Sequence, residues 1–141
     1  VRTDGVNFGS WIEYDWGKAL FVPAIHSSSY DGVYAGEPAG IIFDINGVRI
    51  YHAGDTCLFS DMKLIKELYH PDIAMLPVGG HYTMDIEQAG IAAEWIGAKV
   101  IIPMHYNTFD AISVDIARFE MLLQTQGLNC QIMRTGETLQ F

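Results

Sequence analysis

Two short apolar runs, Ile73–Val78 and Val100–Met104, alternate along the chain with segments of helical period. That alternation limits the fold more than any other feature of the sequence. Runs of this length are strand-sized and far too short to span a bilayer. Ahead of the first, Asp61 to Tyr69 sets Met62, Ile65 and Leu68 on one helical face, and Pro71 ends the pattern. Asp85 is a natural cap for a helix over Ile86–Ile96, with Gln88 three residues on completing a capping box. Either Ser113 or Asp115 starts a third helix that reaches about Gln126 and is stopped by Gly127. Leu128–Met133 and Thr138–Phe141 read as closing strands.

The first part of the chain has strand character throughout. Asn7–Tyr14 and Lys18–Ile25 are rich in aromatic and β-favouring residues and flank the turn Asp15-Trp16-Gly17. Ser27–Pro38 is rich in serine and glycine, ends in proline, and is expected to be a loop. Ala39–Asp44 and Val48–His52 form a hairpin across Ile45-Asn46-Gly47, because Asn-Gly favours a tight primed turn. Strands followed by strand–helix alternation give an α/β or layered α+β fold, a sheet with helices packed on it. At 141 residues, half of them hydrophobic, the chain can bury a substantial core as a single unit.

Charge and cysteine usage narrow the partners. A net charge of −9 repels phosphate backbones and anionic lipid, which argues against nucleic acid and membrane. A phosphorylated small molecule stays open as a substrate, since one metal ion reverses the field locally. Cys57 and Cys130 stand alone and far apart, unlike a secreted disulfide scaffold, so two reduced thiols in a cytoplasmic protein are expected. No apolar targeting segment follows Val1-Arg2-Thr3-Asp4-Gly5, and no repeat is visible.

Three potential metal ligands follow expected strands. His26 follows Phe21–Ile25, Asp55 follows Tyr51–Gly54, and His105 follows Ile101–Met104. Strand ends present polar groups to a shared cleft while the strand interiors hold them rigid. Two neutral imidazoles and a carboxylate suit Zn, Mn or Fe as divalent ions, and a carboxylate can bridge two of them. Taken singly, a histidine at a strand end is more often structural or solvated than a ligand, and Asp55 reads equally as a turn or helix cap.

The words around these residues carry more than the residues alone. Ala24-Ile25-His26-Ser27-Ser28-Ser29-Tyr30, Tyr51-His52-Ala53-Gly54-Asp55-Thr56, Leu76-Pro77-Val78-Gly79-Gly80 and Pro103-Met104-His105-Tyr106-Asn107-Thr108-Phe109 occur in that order. Together with Asp61–Ile65 and Thr83-Met84-Asp85, they resemble the metallo-β-lactamase superfamily, in its UPF0173-type group of metal-dependent hydrolases, relatives of the ascorbate-phosphate lactonases. The likeness covers essentially the whole chain. It implies an αββα sandwich, of which residues 1–141 would be the C-terminal portion and one αβ half, with up to two metal ions between the sheets. It implies further that His26 is the ligand on the strand after the first helical layer, Asp55 the bridging aspartate and His105 the last histidine ligand. The superfamily's His-x-His-x-Asp-His motif, which supplies most ligands and the aspartate holding the attacking water, occurs nowhere in the sequence and belongs upstream of Val1.

The activity so implied is hydrolysis of an ester, lactone or phosphoester by metal-activated water, with Asp55 and His81 as the catalytic candidates and a small molecule as substrate. His81 follows Gly79-Gly80 and reads either as a cleft residue, contacting substrate or donating a proton, or as a solvated loop histidine. His52 alternates with Val48 and Ile50 and reads as a buried or supporting residue. His70 beside Pro71 reads as a helix C-terminal residue. Tyr106, Asn107 and Thr108 either orient His105, touch substrate or cap a turn. Ser27–Ser29 lack the Gly-x-Ser-x-Gly setting of a nucleophile. Trp11, Tyr14 and Trp16 read as packing residues. An αβ half leaves its inner sheet face exposed, so a homo-oligomer or association with a missing N-terminal half is expected. The competing reading is a non-catalytic metal-binding or oligomeric interaction module.

Overall fold

The computed structural model describes residues 5–140. Strands β1 (Trp11–Tyr14) and β2 (Gly17–Pro23) form the first hairpin. After a short ribbon of β3 (Ser29–Tyr30) and β4 (Val33–Tyr34) come β5 (Ala39–Ile45) and β6 (Val48–His52). Helix α1 (Met62–Tyr69), β7 (Ile73–Pro77), α2 (Ile86–Ile96), β8 (Val100–Met104) and α3 (Ile116–Thr125) complete the chain. A single six-stranded sheet runs β1-β2-β5-β6-β7-β8. Its first four strands pair antiparallel and its last three parallel. This is the layered α/β arrangement that the alternating pattern implies.

Local chemistry accounts for the joints. Asn46 and Gly47 have φ of 53° and 85°, both left-handed, as a type I′ turn between β5 and β6 requires. Asp85 accepts from the Gln88 amide at 2.8 Å while the Gln88 side chain reaches the Asp85 amide at 3.4 Å, closing the expected capping box of α2. Asp115, not Ser113, caps α3 by accepting from the Ala117 amide at 3.2 Å. His70 ends α1 in a left-handed conformation, its N–H donated to the Lys66 carbonyl at 3.2 Å.

Strand alternation divides the sheet into two unlike faces. One carries Leu20, Ile42, Tyr51, Ala74 and Ile101 in register across the strands. It is buried under Met62 and Ile65 of α1, Ala89 and Ala93 of α2, and Phe119 and Leu123 of α3. Each such side chain taken fully from water contributes on the order of 1.5–3 kcal/mol, so this face dominates the stability. The opposite face carries Phe21, Ile41, Phe43, Ile50, His52, Met75 and Ile102; most are only half-buried. Among the described residues no helix packs there. A sheet with helices on one side and a part-open apolar face on the other is one αβ half of an αββα sandwich.

Four sequence expectations change. Asn7–Ser10 is not part of β1, because Gly9 turns with φ 95° and donates its N–H to the Phe21 carbonyl. Ser27–Pro38 is not wholly a loop. Asp31 and Gly32, with φ of 50° and 75°, make a second primed turn between β3 and β4. Leu128–Met133 forms no strand beyond one bridge of Cys130 to Ile101. Instead Met133 and Leu139 fold onto Ile73, Val100 and Ile102, so their apolar side chains cover the second face rather than extending the ladder. Thr138–Gln140 is likewise not a strand, and Phe141, like Val1–Asp4, lies outside the described residues. None of the helices is long and apolar enough to cross a membrane among the described residues.

Candidate metal centre at the strand ends

The topology sends four candidate residues to one edge. β2, β6, β7 and β8 all run in the same direction, since β2 and β6 each lie antiparallel to β5 and β6, β7 and β8 are parallel. Their C-terminal ends lead to His26, Asp55, His81 and His105. Open sheets bind ligands beyond the carboxyl ends of their strands, where side chains from several strands converge. His70 precedes β7 and therefore lies at the opposite edge.

Asp55 is held out from the end of β6 by a tight turn. The Ala53 amide still pairs with the Met75 carbonyl at 3.0 Å, after which Gly54 turns with φ 65°. A side chain at Gly54 would come within 2.6 Å of the Ala39 carbonyl oxygen, so only glycine fits. The Gly54 amide donates to His52 Nδ1 at 3.1 Å. Nδ1 is thus an acceptor and Nε2 carries the proton; burial lowers the pKa of this imidazole, although the nearby Asp55 charge opposes the shift. His52 shares the second face with Val48 and Ile50, as its alternation implies, and supports the Asp55 turn.

Thr56 ties that turn to the exit of β2. Its buried hydroxyl accepts from the Ile25 amide at 3.0 Å and donates to the Cys57 carbonyl at 2.9 Å. The Cys57 amide donates back to the Ile25 carbonyl at 3.0 Å. His26 is therefore anchored on the strand end beside Asp55. Its Nδ1 lies 2.8 Å from the Ser27 carbonyl, an oxygen that can only accept, so Nδ1 carries the proton and Nε2 keeps a free lone pair. That is the pattern of a histidine prepared to ligate through Nε2.

His105 ends β8 with φ 55°, a left-handed conformation that is costly for a side chain of this size. Two features hold it. Gly79 packs directly behind it: a Cβ there would lie 2.3 Å from the His105 carbonyl oxygen and 2.9 Å from the Ile112 Cβ. Beyond it, Asn107 closes the loop with its carboxamide, which accepts from the Val114 amide at 2.7 Å and donates to the Val114 carbonyl at 3.1 Å. Tyr106 packs half-buried against the core, and Thr108 is exposed. Of the three residues after His105, Asn107 thus caps and orients.

His105 Nε2 faces Asp55 Oδ2 at 3.5 Å, with side-chain exposures of 29% and 47%. This is longer than a normal N–H···O bond. Two ligands of one tetrahedral ion at ordinary Zn–N and Zn–O lengths stand about 3.4 Å apart. The separation is compatible with both donors reaching one ion. His105 Nδ1 is buried and has no hydrogen-bond partner among the described residues. No group of three or more His, Cys, Asp or Glu able to hold an ion occurs among the described residues. The structure brings Asp55 and His105 together and leaves His26 on the adjoining loop.

His81 is exposed, with φ 56°, and stands edge-on to Tyr82 with ring centroids 4.3 Å apart. Tyr82 in turn lies 6.3 Å from Phe109, in the loop that follows His105. Gly79, Thr56, Tyr82 and Phe109 were not legible as site residues. A glycine between an apolar strand and a candidate histidine is the one signal that points to such close packing.

Residues 14–105 match the model of the beta-lactamase superfamily domain, a span that takes in His26, Asp55, His81 and His105. The chain is 47% identical to a UPF0173 metal-dependent hydrolase of Methanocorpusculum labreanum, over 99% of this chain and 67% of the relative. It is 49% identical to one of Geobacillus thermodenitrificans, over 87% of this chain and 57% of that relative. In three dimensions it matches Igni18, a metallo hydrolase of Ignicoccus hospitalis, with a TM-score of 0.87 and 42% identity over 96% of this chain and 59% of that one. The chain thus spans roughly three fifths to two thirds of the length of these relatives. By matching model and relatives alike, the chain belongs to the UPF0173 metal-dependent hydrolase family of the beta-lactamase superfamily.

Proposed function

We propose that the chain is the C-terminal portion of a hydrolase that opens an ester, lactone or phosphoester with metal-activated water. The observation that carries this reading is Asp55 facing His105 at 3.5 Å on the edge where four parallel strand ends converge. Asp55 and His105 would hold the ion, with His26 Nε2 free to join from the adjoining loop. A divalent transition ion there, Zn, Mn or Fe, would lower the pKa of bound water and polarise the scissile bond. Asp55 offers its second carboxylate oxygen to another ion, so a site of up to two ions is consistent with the donor set. The Thr56, Gly79 and Asn107 contacts fix the backbone behind each ligand, which keeps the donors in place before substrate arrives. His81, on a solvent-facing loop at the same edge, would donate a proton to the leaving group.

The relatives are longer than this chain, and the missing part is proposed to supply the remaining ligands. The substrate is a small molecule; the net charge of −9 disfavours nucleic acid. Cys57 and Cys130 are both free, which suits a reducing, cytoplasmic setting. The test is to combine this chain with the upstream portion of a longer relative and assay a panel of esters, lactones and phosphoesters. Metal-dependent hydrolysis lost in His105→Ala is expected. A folded complex with bound ions and no hydrolysis on any panel member would sink the reading.

One observation favours a second reading, a non-catalytic module. The second sheet face, with Phe21, Ile41, Phe43 and Ile50 half-buried, suits association with another copy or with an upstream half. An oligomer indifferent to chelator would favour it.

A further inference from the structure

We infer that Tyr82 and Phe109 form an aromatic wall beside the Asp55–His105 pair and select substrates that carry a neutral aryl group next to the bond to be cleaved. The inference rests on the metal-centre reading for its location and names the substrate class that the same site would take. Both rings are large, apolar and solvent-facing, Tyr82 54% exposed and Phe109 50%. They touch across two different loops, with centroids 6.3 Å apart. The bases of those loops meet where Gly79 packs on His105. Tyr82 lies three residues beyond Gly79, so the chain holds it within about 11 Å of the glycine that packs on His105, and Phe109 follows His105 by four residues.

The rings are not exposed because their loops are loose. Below Tyr82, Thr83 and Met84 are buried, and the Gly80 amide bonds the Met84 carbonyl at 2.9 Å. Below Phe109, Ile112 is buried and donates its N–H to the Phe109 carbonyl at 3.1 Å, while Asn107 clasps Val114. His81 holds a left-handed backbone, with φ 56°, where glycine would be free of strain. A stiff scaffold that presents apolar rings to water is arranged for a guest rather than for its own stability.

Ring orientation and charge define that guest. His81 meets Tyr82 edge-on at 81°, and Tyr82 meets Phe109 at 46°, so neither contact is a face-to-face stack that would use up the ring faces. A flat apolar group can lie against them in offset or edge-to-face contact. A net charge of −9 favours a neutral guest at this position.

The test uses this chain and two non-hydrolysable probes with the same head group, phenylphosphonate and methylphosphonate, with and without Zn²⁺. Affinity and the NMR signals of the Tyr82 and Phe109 rings are followed. The expected result is an aryl preference of about tenfold, ring-current shifts at Tyr82 and Phe109, and a preference reduced to about twofold by Tyr82→Ala or Phe109→Ala. Equal affinity for the two probes, no binding of either, or a preference that both substitutions leave intact would overturn the wall. If the aryl preference holds but Zn²⁺ tightens neither probe, the wall stands and the metal-centre reading fails.

Discussion

Gly79 is where packing and the candidate centre are most tightly joined, and alanine there is the perturbation of choice. Its Cβ would stand 2.3 Å from the His105 carbonyl oxygen, whereas real Cβ contacts do not come under 3.0 Å. The two backbone segments must therefore separate by at least about 0.7 Å. The obstacle is main chain, with the Ile112 Cβ at 2.9 Å beside it, so no flexible side-chain end can yield. Overpacking of this kind costs about 2 kcal/mol, or a Tm lower by roughly 6–8 °C for a domain of this size. The same displacement moves His105 relative to Asp55 and should weaken Zn²⁺ binding about tenfold or more. Gly90→Ala is the internal control. Its Cβ meets the end of the Leu122 side chain at 2.7 Å, which can rotate away, and helix propensity returns about 1 kcal/mol. Melting curves and Zn²⁺ titrations on the three proteins decide the matter. A Gly79→Ala protein that melts within about 2 °C of the parent and binds Zn²⁺ equally would refute the close approach on which the site is built.

Other consequences are equally direct. Asn107→Gly relieves the left-handed backbone yet loses both bonds to Val114, and should lower Zn²⁺ affinity several-fold with a smaller change in Tm; an unchanged affinity would assign Asn107 to the loop alone. The Arg49 amide bonding Asp72, with Lys99 beside it, holds the Asp72 carboxyl below its ordinary range. A depressed carboxylate stabilises the fold above its unfolded pKa, and that stability is lost as pH falls through the folded value. Asp72→Asn should therefore lower Tm at pH 7, with the difference shrinking as pH falls below the ordinary carboxylate range, as melts across acid pH would show. Burial pushes the Cys130 thiol up to about 11, with Glu120 adding to the shift, while Cys57 is exposed. A thiol reagent at pH 8 should label Cys57 readily and leave Cys130 slow, and equal rates in Cys57→Ser and Cys130→Ser would contradict this.

The parts of the fold legible in the sequence are those where a residue type has one physical use. Asn46-Gly47 meets the left-handed requirement of a primed turn, and Asp85 with Gln88 satisfies the free amides at the start of α2. Asp31-Gly32 carries the same turn signal but is masked inside a serine- and glycine-rich stretch, because its flanking strands are only two residues long. Met133 and Leu139 misled for a different reason. Apolar residues in a strand and apolar residues laid across a sheet face look alike until the sheet exists. His26, Asp55 and His105 were legible as ligand types at strand ends, but their meeting depends on strand directions that no local pattern encodes. Tyr82 and Phe109 gave no signal, since an exposed aromatic on a loop is distinguished only by what stands next to it.

Nitrogen NMR of the His105 side chain during a Zn²⁺ titration reports whether Asp55 and His105 serve one ion. Joint ligation predicts a saturable shift at Nε2 and a marked loss of that response in Asp55→Asn. Zn²⁺ that binds elsewhere on the chain and leaves His105 Nε2 unmoved, or a response that Asp55→Asn does not alter, would contradict it.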